Sequence, residues 1–141
     1  MTSRNTSYGS VSPELDELSS TLMGDALDLL AEGVDMGVLV AMQDARGEVT
    51  SLELADDGPM ALLEGARAKV HRSRDSVRYA IAYEGAIGMD DGSFADALIM
   101  EFGERGRPSF SAYSLFEGRG EGDDFRWTDP APAGEEEALL G

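Results

Sequence analysis

Apolar side chains recur at two different periods along this chain, and the change of period separates helices from strands. Leu15, Leu18, Leu22, Ala26, Leu29 and Leu30 fall every three or four positions, which lines them up on one stripe of an α-helix. Asp16, Glu17, Asp25, Asp28 and Glu32 occupy the other faces. Ser12-Pro13-Glu14 supplies a start: a hydroxyl to cap the first free amides, a proline whose fixed φ suits the first turn, and an acid at the positive end of the dipole. Gly33 supplies the stop. The short apolar run over 36–43 suits a strand buried on both faces. After the turn Asp44-Ala45-Arg46-Gly47, Thr50, Leu52 and Leu54 alternate with Val49, Ser51 and Glu53, as the second strand of a hairpin should.

Asp56-Asp57-Gly58-Pro59 breaks that strand and opens a second helix, whose apolar positions are Met60, Leu63, Ala66 and Val70. From Val77 the period becomes two. Val77, Tyr79, Ile81 and Tyr83 share one face, and Arg78, Ala80, Ala82 and Glu84 the other. Asp91-Gly92 marks a hairpin turn. Phe94, Asp96, Leu98, Met100 and Phe102 then alternate through the returning strand, and a further strand runs from Ser109 to about Phe116. The segment Phe125-Arg126-Trp127 follows a glycine-rich loop. The expected class is α+β: a single mainly antiparallel sheet of five to six strands with two packed helices, in the order α-β-β-α-β-β-β. That order resembles the profilin-like group of folds, which includes the roadblock and longin domains. The resemblance covers about residues 13–116 and lies in the order of elements, with no motif behind it. It implies a sheet flanked by helices, and pairing through an exposed helix or edge strand.

The ends are expected to lie outside this domain of 13–128. Residues 1–12 have almost no apolar side chain with which to offset the entropy of ordering, and predict a disordered N-terminus. Residues 129–141 carry Pro130, Pro132 and the run Glu135-Glu136-Glu137, and predict an acidic flexible tail, whose Leu139 and Leu140 either dock on the domain or serve a partner, the second slightly favoured.

Charge narrows the function. The 141 residues include 28 acids against 11 bases and no Cys, for a net charge of −17. Such a field repels phosphate and anionic lipid, so neither direct nucleic-acid binding nor a membrane partner is expected. The absence of Cys removes disulfides, thiolate ligands and thiol chemistry. With no apolar run of membrane-spanning length and no signal-like start, a soluble cytoplasmic protein is the expectation. One stretch runs against the global sign: residues 58–78 sum to +3 through Arg67, Lys69, Arg72, Arg74 and Arg78. Arginine forks suit phosphates and carboxylates, which makes this cluster a candidate anion or acidic-partner patch, although basic residues also collect at helix C-termini for dipole reasons.

Other candidate chemistry is thinner. His71, the sole histidine, lies among these arginines without a Ser-His-Asp arrangement. Asp90, Asp91 and Asp96, and Glu121, Asp123 and Asp124, are carboxylate clusters without the ligand spacing of an EF-hand. Gly118, Gly120 and Gly122 imitate half a phosphate loop, but Asp123 and Asp124 stand where phosphates would approach. Glu101, Glu104 and Arg105 fall at a strand end, where a salt bridge is commoner than acid–base chemistry. No cofactor or metal motif is present. The expectation is a non-catalytic protein-interaction or regulatory module whose partner is another protein, a second copy of the chain included. The first alternative is an acidic nucleic-acid mimic that blocks a basic protein groove. The second is a hydrolase or lyase working through Asp and Glu alone.

Overall fold

The computed structural model describes residues 11–34, 36–54, 59–136 and 138–140. Helix α1 spans Pro13–Glu32 and is followed by the hairpin strands β1 (Val38–Asp44) and β2 (Val49–Leu54), helix α2 (Pro59–Arg72), and strands β3 (Ser76–Gly88), β4 (Phe94–Glu104) and β5 (Ser109–Glu117). A 3₁₀ turn at Gly122–Asp124 leads to two more strands, β6 (Arg126–Trp127) and β7 (Ala131–Glu136). All pairings are antiparallel, in the order β2-β1-β3-β4-β5, with β6 and β7 both pairing with β5. The expected fold class is what forms, with seven strands where five or six were anticipated. Among the described residues, no helix is long and apolar enough to cross a membrane.

The helices lie on opposite faces of the sheet, and period-two alternation in the strands makes both faces apolar. On one face Leu15, Leu18, Leu22, Ala26 and Leu30 of α1 meet Leu39, Ala41, Ala80, Ala82, Leu98 and Met100. On the other, Leu63, Ala66 and Val70 of α2 meet Val38, Val40, Tyr79 and Ile81. Each fully buried leucine contributes about 2 kcal/mol, so the richer α1 side carries most of the hydrophobic stabilisation. α1 starts and stops as its sequence predicts. Ser12 Oγ accepts the Leu15 amide at 3.0 Å, and Gly33 closes the helix at φ 78°. The glycine-rich loop also has a role here: the Gly120 amide donates to the Leu30 carbonyl at 2.9 Å, satisfying a helix-end acceptor.

The chain ends depart from expectation. Val11 already packs against the α1-side core, so order begins before residue 13. Residues 1–10, the Asp56-Asp57-Gly58 break and the Met60 side chain lie outside what is described. The C-terminal segment is not a free tail over its described length. β7 pairs with β5 from Tyr113↔Ala131 to Ser109↔Glu136, with a register shift between Ser111 and Ala112. An edge strand bonds on one side only, so Pro132 and the register shift are tolerated there. Leu140 is buried in the α2-side core at 4% exposure. Asp129, Glu135 and Glu136 stay at the surface while one leucine fills the gap beside α2.

Candidate functional site

The sheet has two edges, and they are built differently. β7, Ala-Pro-Ala-Gly-Glu-Glu, carries a proline, a glycine at φ 152° and two acids. Such features prevent another strand from adding. β2, Val-Thr-Ser-Leu-Glu-Leu, has neither proline nor lysine and a single charge at Glu53. It pairs with β1 and, among the described residues, with no strand on its outer side.

The polarity of that outer side follows from the turn. The Asp44 amide donates to the Glu48 carbonyl at 3.0 Å, which makes Asp44 and Glu48 a bonded pair. Bonded pairs alternate in antiparallel ladders, so Met42↔Thr50 and Val40↔Leu52 are bonded as well. The backbone amides of Val49, Ser51 and Glu53 therefore point away from β1. Asp44 holds this turn with its own carboxylate. Its Oδ1 accepts the Glu48 and Arg46 amides at 2.9 Å each, and these bonds, Glu48's first, keep its pKa below the usual carboxylate range.

Val49 and Ser51 also line a groove of about 290 Å³ between α1 and the β1–β2 hairpin. Its floor includes Leu18, Leu22 and Ala41, and Glu14, Glu17 and Asp25 of α1 stand along it. The groove exists because α1 packs over β1, β3 and β4 and leaves the same face of β2 uncovered. Val49 is 48% exposed there.

A second concentration of chemistry lies under α2. Glu101 is buried at 4% exposure. Arg67 Nε donates to its Oε1 at 2.9 Å, Arg67 Nη2 to its Oε2, and the Tyr83 hydroxyl to Oε2 at 2.9 Å. The Glu101 contact holds the Arg67 guanidinium protonated well above its ordinary range. Burial, with the Glu101 charge next in weight, likewise raises the Tyr83 phenol. A cleft of about 110 Å³ opens beside the pair, with Glu136 and Leu139 at its rim. Both Glu101 oxygens are engaged, and the arrangement serves to hold α2 on the sheet.

The five residues of the expected basic patch are not brought to one place. Arg67 turns under α2 toward Glu101, whereas Arg78 lies on the opposite face of the sheet. There Arg78 donates to Glu104 Oε2 at 3.0 Å and to Gln43 Oε1 at 2.9 Å. Lys69, Arg72 and Arg74 are exposed at the end of α2 without an ion pair among the described residues. His71 joins Leu139 through Nδ1 and the backbone carbonyl at 3.0 Å. Arg105 anchors the C-terminal segment, donating to the Leu140 carbonyl at 2.8 Å and to the Ser76 carbonyl. Among the described residues, no three His, Asp or Glu side chains are placed to share a metal ion. Asp91 instead accepts the Ser93 hydroxyl and amide, which lower its pKa.

Sequence reasoning identifies β2 as a hairpin strand without marking it as an edge. The usable signal is compositional: six strand residues with no lysine or proline, followed by a break instead of another strand. Comparison with protein-family models, curated proteins and solved structures returns no match.

Proposed function

We propose that the protein is a non-catalytic interaction module that takes an extended segment of a protein partner along the outer side of β2. The observation that carries this is the contrast between the edges: β7 is guarded and β2 is not. Outward amides supply affinity in strand addition, and flanking side-chain pockets supply selectivity. β2 has both, three amides and the adjoining groove. A carboxylate-based hydrolase or lyase is the weaker reading, because Glu101, the one buried acid among the described residues, has both oxygens committed to Arg67 and Tyr83.

The nucleic-acid-mimic reading keeps one observation in its favour. Glu14, Glu17, Asp25, Asp28 and Glu32 are exposed along α1, a helix of about 30 Å, and the exposed bases of α2 lie across the sheet from it. A photo-crosslinking residue placed at Ser51, at Asp28 or at Ala86 separates the readings in cell extract. Ser51 is expected to give one dominant protein adduct, with Asp28 and Ala86 giving none. A dominant adduct from Asp28 alone favours the mimic, and equal labelling from all three positions overturns the edge reading.

A further inference from the structure

We infer that the segment taken by β2 is a strand whose side chains alternate between basic and apolar. This rests on the reading of β2 as the docking edge and adds the chemistry of the occupant. A strand added there lies about 4.8 Å outside β2, and its side chains point alternately to the two faces of the sheet.

On the α1 face those side chains pass over Val49 and Ser51 toward Glu14, Glu17 and Asp25. None of these three acids has an ion-pair partner among the described residues. The groove floor beneath them is apolar at Leu18 and Leu22. Lys and Arg match both features, since their stems lie on apolar surface while their heads reach carboxylates. On the α2 face the neighbours are Thr50, Leu52 and Leu54, and both leucines are half-buried at the margin of the core. Apolar side chains extend that margin.

A second copy fits poorly. Antiparallel β2–β2 pairing about a two-fold axis puts both α1 helices on the same side of the joined sheet, with their acidic flanks facing. A nucleic acid brings phosphates to the same carboxylates and meets the same repulsion.

The test uses the full chain and three labelled heptapeptides: Lys-Ile-Lys-Ile-Lys-Ile-Lys, its Glu-Ile counterpart, and Lys-Lys-Lys-Lys-Ile-Ile-Ile. Fluorescence anisotropy gives affinity, and hydrogen exchange gives protection of the Val49, Ser51 and Glu53 amides. The alternating Lys peptide should bind and protect all three amides. Its affinity should fall at least about tenfold between low salt and 0.3 M salt. Ser51→Pro deletes one outward amide and leaves the β1 ladder intact. It should abolish protection at 49 and 53 without lowering the melting temperature by more than a few degrees. Glu17→Lys should weaken binding about tenfold, and Ala86→Lys, equal in sign of charge but at the far end of the sheet, should not. If the Glu-Ile peptide protects the three amides equally well, the edge reading stands and the basic specificity is overturned. If the block peptide binds as tightly as the alternating one without protecting them, attraction to the overall charge explains the binding and the inference fails. If the free chain dimerises at micromolar concentration and Ser51→Pro abolishes the dimer, the occupant is a second copy, and the inference fails on that outcome too.

Discussion

Tyr79 is 1% exposed under α2, and burial, partly offset by a hydrogen bond with Ser109, pushes its phenol up to about 12. The folded protein thus holds a neutral phenol that the unfolded chain ionises near pH 10. Stability from this residue is complete below about pH 10 and is lost as pH rises from 10 to 12, by an amount on the order of 2–3 kcal/mol. Urea unfolding at pH 8, 10 and 11 should show a plateau and then a fall. Tyr79→Phe should lose about 1 kcal/mol at pH 8, because Ser109 is left without its partner, and should fall less steeply above pH 10. A variant as steep as the wild type would place the alkaline sensitivity elsewhere. The pairing of Arg67 with Glu101 was half legible. Arg67 stands four residues after Leu63 and three before Val70, on the sheet-facing stripe of α2, so its spacing sets it apart from Lys69, Arg72 and Arg74. Its neighbours in sequence suggest a patch, and its helical phase opposes one. What no local pattern carries is the acid it meets, 34 positions away on β4.

Elements with a clean period were legible to within a residue or two. α1 begins and ends at its predicted cap residues, and the alternation through 77–84 and 94–102 puts Tyr79 and Ile81 on the α2 face and Ala80, Ala82, Leu98, Met100 and Phe102 on the α1 face, as observed, although β3 runs on to Gly88. β7 was not legible, because Pro132, Gly134 and two glutamates are poor strand formers, and only the open side of β5 recruits them. Ser111 helps, donating its hydroxyl to Glu136 at 2.8 Å. Leu140 closes the same segment against α2, so Leu140→Ala should cost about 2–4 kcal/mol. In thermal unfolding this appears as a fall of several degrees, with Leu139→Ala, at a half-buried position, costing less. No change on truncating Leu140 would mean that the segment does not hold its docked position in solution.

For the whole molecule, the inequality of the edges sets how many copies can join. With one open edge, the chain is monovalent for strand addition: when salt screens the net charge and β2 finds another β2, the pair is closed and growth ends at two. Opening the far edge alters the arithmetic of assembly. β2 of one copy can then meet β7 of the next, head to tail, and no symmetry closes the chain. Pro132→Thr with Glu135→Thr removes two of the guards while leaving Leu140 and Glu136 in place. At about 0.5 M salt, where charges are screened over a few ångströms, light scattering from the double variant should grow with concentration beyond that of a dimer, and the wild type should not. The guards on β7 are thus a chain terminator. A protein that keeps one edge available for recognition has to disable the other, or recognition becomes polymerisation.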